Sequence, residues 1–200
     1  MLISLDKNLV ILAMTKTGST ALHAALGPHC DIIYRGPPRV KHMNLMRFER
    51  FLRPYLSAIG HDEIETFGLI REPEDWLRSW YRYRARPELD EKPNSTAHLS
   101  FDAFVEAYLS ETPPPFAQVG RPSKFYAPPT DGAPVTHVFR YDAMDAATSF
   151  LEERFGRKLT LKRMNLSPPK EAELNPALRQ RLLHSLSKDY TLYKKARTNT

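Results

Sequence analysis

The chain has 200 residues, 42% hydrophobic and 26% charged, ordinary proportions for one soluble domain and enough chain to bury a sizeable core. Lys and Arg number 29 against 23 Asp and Glu, a net charge of +6, which points to partners that carry negative charge. The single cysteine, Cys30, excludes an intramolecular disulfide and a multi-thiolate zinc site, and makes a reducing, cytoplasmic setting the expectation.

Leu9-Val10-Ile11-Leu12-Ala13-Met14 is a continuous apolar run of strand length, as expected where a sheet is covered on both faces. It is far shorter than the roughly 20 residues of a membrane helix. With Asp6 and Lys7 directly before it, it is also short for a secretory leader. Stable membrane insertion is therefore not expected, and Asn94-Ser95-Thr96 and Asn165-Leu166-Ser167 match a glycosylation pattern without an export signal. A hydroxyl-rich loop, residues 15–20, leads into a short helix stopped by Gly27-Pro28. A second strand is predicted over 31–34, then a helix over about 44–56 with Leu45, Phe48, Leu52 and Leu56 on one face.

Residues 66–70 form the next predicted strand, ending at Arg71. Pro73, Glu74 and Asp75 then suit the first turn of a helix. Residues 87–94 read as an exposed loop and 101–109 as helix, and the Pro- and Gly-rich stretch to residue 134 as irregular chain. A fourth strand is predicted over 135–141, a helix over 142–155, and a last helix capped by Asn175-Pro176. Strands alternating with helices predict a single α/β domain over residues 1–200: three layers, with a mainly parallel central sheet flanked by helices.

Two constellations carry chemistry. In Lys16-Thr17-Gly18-Ser19-Thr20 the backbone turns from strand to helix through Gly18, aiming N–H groups and the positive helix end at one point while Lys16 adds a mobile cation. A capped helix start with an exposed lysine is the plainer alternative. The order differs from Gly-x-x-x-x-Gly-Lys-[Ser/Thr], because here Lys16 precedes Gly18. The second constellation is Arg71 at a strand end with Ser79 on the following helix, a guanidinium and a hydroxyl suited to one phosphate. Trp76, Leu77, Trp80 and Tyr81 at helical core spacing also allow Ser79 to be a small packing residue.

Together these residues resemble the signature of sulfotransferases that use 3′-phosphoadenosine-5′-phosphosulfate (PAPS). In that family Lys-[Ser/Thr]-Gly-[Ser/Thr]-[Ser/Thr] wraps the 5′-phosphosulfate, and an Arg at a strand end with a Ser eight positions later binds the 3′-phosphate. Phe139-Arg140-Tyr141-Asp142, Asn165-Leu166-Ser167 and Asp189-Tyr190-Thr191-Leu192-Tyr193 resemble further stretches of its bacterial branch. Glu72 departs from the pattern, standing where many members have Asn. The resemblance implies a P-loop-NTPase-like fold, PAPS as donor, the nucleotide 3′-phosphoadenosine-5′-phosphate (PAP) as product and no metal. It further implies Lys16, Thr17, Gly18, Ser19, Thr20, Arg71 and Ser79 as donor-binding residues, and a small-molecule or glycan acceptor.

Sulfuryl transfer to a hydroxyl needs a base. A Lys-His pair after the second strand is frequent in the branch, so the resemblance makes His42 the base, with Lys16 neutralising charge on the bridging oxygen. Glu49 and His23 are the competing bases. His29, His61, His98, His137 and His184 show no pairing pattern, and no spacing of His, Cys or acidic residues suggests a metal site.

Two other functions fit the sequence in part. A P-loop nucleotide or metabolite kinase would need the Gly-Lys order and a magnesium-binding Asp at a strand end. A non-catalytic binder of RNA or acidic polymers would need aromatics interleaved with Lys and Arg, whereas here the aromatics sit at core spacing, so nucleic acid is not expected as partner. Residues 154–200 hold twelve basic against three acidic side chains. Arg157, Lys158, Lys162 and Arg163 lie beside the stretch that in the resembled family closes over the nucleotide, with Lys170 soon after, so the resemblance implies a place near the nucleotide for them; Lys194, Lys195 and Arg197 are expected in a solvated tail.

Overall fold

The computed structural model describes residues 1–162 and 168–199; Arg163 and the Asn165-Leu166-Ser167 motif lie outside the described residues. Along the chain run β1 (Leu2–Ser4), β2 (Leu9–Ile11), α1 (Ser19–Leu26), β3 (Ile32–Ile33), α2 (Pro38–Lys41), α3 (Leu45–Arg47), a π-helical turn (Phe48–Leu52) and α4 (Arg53–Ala58). Then come β4 (Glu65–Ile70), α5 (Pro73–Arg84), α6 (Phe101–Leu109), α7 (Pro122–Phe125), β5 (His137–Arg140), α8 (Met144–Phe155), α9 (Pro176–Ser185) and α10 (Ser187–Lys195). No described helix is long and apolar enough to cross a membrane. The chain packs as two compact units: Met1–Arg71 with the described residues of 122–164 and 195–200, and Glu72–Arg121 with those of 165–194.

The first unit holds the sheet, of five strands in the order β3-β1-β2-β4-β5, flanked by helices. The expected α/β class is present, but the sheet is mixed rather than mainly parallel. β2, β4 and β5 are parallel neighbours, whereas β1 runs antiparallel to both β2 and β3. The cause is β1, a strand not predicted from the sequence. The turn after it, in which the Asn8 amide bonds the Leu5 carbonyl at 3.1 Å, folds residues 2–4 straight back onto β2. An antiparallel neighbour needs only such a turn, whereas a parallel one needs a crossover. Asn8 closes it at φ +46°, a left-handed conformation that Asn tolerates better than most residues.

Alternate residues of the strands build one core. Leu9 and Ile11, Phe67 and Leu69, and Phe139 face Leu22 and Leu26 of α1 and Ala147, Leu151 and Phe155 of α8, all buried. Phe67, Phe139 and Phe150 cluster with ring centroids 5.3–5.8 Å apart, Phe67 and Phe150 stacked and Phe139 tilted against both. On the opposite face of β4, Gly68 lies against Tyr126, whose hydroxyl donates to the Leu69 carbonyl at 2.7 Å. Arg197, expected in a solvated tail, instead lies along β5. Its amide donates to Val138 O at 2.7 Å, its carbonyl accepts from Arg140 N at 3.0 Å, and its guanidinium sits 4.8 Å over the Phe139 ring. The free edge of β5 offers unpaired backbone groups that the tail satisfies.

The second unit is helical. Glu72 caps α5 by accepting from the Asp75 amide at 2.6 Å, Ser100 caps α6, and Asn175 caps α9 with Pro176 in its first turn. Tyr81, Phe101 and Phe104 pack as a cluster, with the Lys170 ammonium 4.4 Å from the Tyr81 ring and donating to the Thr96 and Ala97 carbonyls. Glu74 accepts two hydrogen bonds from Arg179 and one from Arg78.

A Cβ on Gly68 would lie 2.5 Å from Tyr126 Cε1 and 2.6 Å from its hydroxyl oxygen. The ring is buried and tethered by its hydrogen bond, so it cannot yield freely. Gly68→Ala is expected to destabilise the protein by about 1–3 kcal/mol through overpacking, read from urea unfolding midpoints; a loss below about 0.5 kcal/mol would show that the ring moves aside.

Candidate functional site

The parallel pairs β2–β4 and β4–β5 place three strand ends on one edge of the sheet, the edge where open α/β sheets bind ligands. The loop between β2 and α1 leaves from the first of these ends. Lys16 and Gly18 both adopt left-handed backbone, at φ +64° and +75°. Gly18 pays no steric penalty there, whereas Lys16 is held in a strained conformation. The Thr17 hydroxyl is buried and donates to the Met14 carbonyl at 3.0 Å, pinning the turn. Thr17 therefore contributes as a loop anchor, through its backbone rather than through an open hydroxyl.

Gly18 is the N-cap of α1 and has no side chain to cap it. Its carbonyl already accepts from the Ala21 and Leu22 amides at 2.9 and 3.2 Å. The amides of Ser19 and Thr20, in the first turn, have no carbonyl one turn back to bond. They stand at the positive end of the helix dipole.

Arg71 arrives from the end of β4. Its guanidinium donates to the Lys16 carbonyl at 3.4 Å and lies 4.9 Å from the centre of the Tyr141 ring. That ring also abuts the loop, since a Cβ on Gly18 would be 3.4 Å from Tyr141 Cε2. Glycine at this position serves the left-handed turn. Tyr141 was visible in sequence only as part of a strand-end motif; its stacking on Arg71 depends on β5 lying beside β4.

His42 ends α2, and its Nδ1 is 2.6 Å from the Ala13 carbonyl, just ahead of the loop. A carbonyl only accepts, so Nδ1 carries the proton and Nε2 is the basic nitrogen of the neutral ring. Burial lowers the His42 pKa and the Ala13 hydrogen bond opposes it, while Lys41 and the Met1 amino group nearby add to the lowering. His23, on α1, is brought down to about 4 by burial, then by the Met1 amino group, Lys41, His42 and Arg35. Its Nε2 is 3.0 Å from the Met1 nitrogen. Glu49 is committed to Arg53 through two hydrogen bonds of 2.6 and 2.9 Å. Of the three candidate bases, His42 alone combines a neutral ring with a basic nitrogen not already engaged.

Lys16, Thr17, Gly18, Ser19, Thr20, His42 and Arg71 therefore belong to one unit and its sheet edge. Ser79 belongs to the other unit, buried on α5. In that unit Glu72, the departure from the family pattern, caps α5 and accepts a short hydrogen bond from the Tyr190 hydroxyl. Of the basic residues expected near a nucleotide, Arg157 lies on His29, Lys158 on Glu152, and Lys170 on the backbone carbonyls of Thr96 and Ala97. Among the described residues no group of three or more His, Cys, Asp or Glu side chains is placed to hold a metal ion.

Comparison with protein-family models, with curated proteins and with solved structures finds no match for this chain.

The depressed His23 pKa has a consequence for stability. Between about 4 and its ordinary 6.5 the unfolded chain binds the proton that the folded protein refuses. Stability is then full above pH 6.5 and falls as the pH drops from 6.5 toward 4. His23→Gln is expected to flatten that decline, seen as a smaller difference between urea midpoints at about pH 7 and about pH 5. An unchanged difference would assign the acid sensitivity to other groups.

Proposed function

We propose that this protein is a sulfotransferase whose P-loop-like turn binds PAPS and which passes the sulfuryl group to an acceptor hydroxyl or amine of a small molecule or glycan. The observation that carries the reading is a convergence on one sheet edge: a left-handed Lys16–Gly18 turn, an uncapped helix start, the Arg71 guanidinium and a neutral His42. The left-handed turn at Gly18 leads into the first turn of α1, whose backbone amides and positive dipole end suit a phosphate group.

PAPS, when bound, supplies the activated sulfuryl group and a phosphate leaving group. The amides of Ser19 and Thr20 would hold the 5′-phosphate, and the Lys16 ammonium would offset negative charge on the oxygen that leaves. Arg71 contributes a guanidinium, oriented by the Tyr141 face and the Lys16 carbonyl, and is the residue proposed for the 3′-phosphate. His42 Nε2 accepts the acceptor's proton, and the Ala13 hydrogen bond holds the ring in the tautomer that leaves Nε2 basic. Most of the catalytic demand is positioning and charge stabilisation, as in phosphoryl transfer.

The kinase reading has less support. Asp142, the carboxylate at the end of β5, accepts from Arg140 Nε at 3.1 Å and from its terminal nitrogen at 2.6 Å. A magnesium-binding role would require that ion pair to open.

PAP is expected to raise the melting temperature without magnesium, since a ligand at about 100 times its dissociation constant adds roughly 2.7 kcal/mol. Arg71→Ala should shrink that shift, and ATP with magnesium should give a smaller one. A larger shift with ATP and magnesium would overturn the reading. For the base, His42→Ala is expected to keep the PAP shift while turnover falls by about 100-fold or more. Because the folded pKa is lowered, the acidic limb of kcat/KM should lie below about pH 6.5 and be absent in the variant. Retained turnover would move the base elsewhere.

A further inference from the structure

The segment from α3 through the π-helical turn to α4 has two apolar faces. Leu45, Phe48 and Leu56 point inward and are buried. Met46, Phe51, Tyr55 and Ile59 point outward, exposed by 47, 60, 58 and 46%, and these are the large hydrophobic side chains that stand out in solvent among the described residues. The exposed positions recur in pairs every four residues, at 46/47, 50/51, 54/55 and 58/59. A regular α-helix drifts about 40° past such a repeat. The π-helical turn at Phe48–Leu52 underwinds the segment and keeps the row together.

The rest of that row is Arg47 and Arg50, with Pro54 and Ala58 between the apolar side chains, so no acidic residue lies on it. The Arg50 guanidinium is 5.3 Å from the Phe51 ring centre, cation and aromatic side by side. The charge extends beyond the helix. Residues 35–53 hold six basic side chains and one acidic one, Glu49, which is bound to Arg53. Arg35 and Arg39 are exposed as well.

We propose that this strip docks the protein reversibly on an anionic lipid surface. Met46, Phe51, Tyr55 and Ile59 enter the boundary between headgroups and acyl chains, while Arg47 and Arg50 meet lipid phosphates. The strip is about 20 Å long at the rise of a helix, and deformable acyl chains receive such a row without preformed pockets. Charge complementarity selects this occupant over a second copy, because a two-fold contact across the strip would bring Arg47 and Arg50 toward their own images. The docking lies along the membrane surface and spans nothing. It stands independently of the sulfotransferase reading, which a PAP melting shift tests separately.

The test is sedimentation of the full chain with phosphatidylcholine vesicles and with vesicles that also contain phosphatidylglycerol. The wild-type protein is expected to partition onto the anionic vesicles and to lose most of that binding at high salt. Phe51→Ser with Tyr55→Ser, and separately Arg47→Ala with Arg50→Ala, should each weaken partitioning by about tenfold or more. All four side chains lie on the exposed row, so unchanged melting temperatures should accompany the loss. Failure to bind anionic vesicles, or wild-type binding by both double variants, overturns the proposal. Self-association abolished by the Phe51 and Tyr55 changes would assign the strip to a second copy, and binding to polyglutamate without binding to vesicles would assign it to an acidic polypeptide; either result overturns it too.

Discussion

The candidate site depends on the parallel pairing of β2 with β4. Leu9 to Ile11 lie beside Glu65 to Phe67, and the Leu12 amide carries the ladder one step further by donating to Phe67 O at 2.8 Å. This pairing puts the end of β2 and the end of β4 on the same edge, so the loop with Lys16 and Gly18 and the guanidinium of Arg71 emerge as neighbours. β5 repeats the pairing on the other side of β4, from Phe67–His137 to Ile70–Arg140, and delivers Tyr141 to the same place. Parallel strands require covered faces and crossover connections. α1 is the first such cover, and the same helix presents its uncapped start to the site. Sheet packing and the geometry of the candidate site are therefore one feature seen from two sides.

Charge around that edge is arranged by burial as much as by sequence. His42 and His23 sit among Lys41, Arg35 and the Met1 amino group, and both have lowered pKa values. Taking positive charge off these rings gives His42 a basic nitrogen beside the loop that carries Lys16. Arg71 is restrained by a carbonyl and an aromatic face, which orient its guanidinium. Glu49 and Asp142 are each tied to an arginine.

Much of the local structure was legible in the sequence. The 101–109 helix, the Asn175-Pro176 cap and the strand ending at Arg71 follow from signals a few residues long: an apolar period, a capping side chain, a proline in the first turn. The loop at Lys16 and Gly18 was legible for the same reason. The helix predicted over about 44–56 is present but interrupted by the π-helical turn, which leaves Leu52 only half-buried and turns Phe51 outward. No pattern within the segment announces that interruption. β1 escaped notice because a strand of three residues is shorter than any period can register, and it was enough to make the sheet mixed.

The sequence by itself determined which residues have the right chemistry: a Lys-x-Gly turn after a buried strand, an arginine at a strand end, a histidine before a helix, and a basic excess with one cysteine. Those are properties of composition and of neighbours along the chain. Tertiary structure alone decided the order and direction of the strands, the stacking of Arg71 on Tyr141 and the hydrogen bond from His42 to Ala13. It also decided which face of the 45–58 helix meets solvent and how far each histidine is shielded from it. All of these arise between segments tens of residues apart, where pairing and burial are set by how the whole unit packs rather than by local preference.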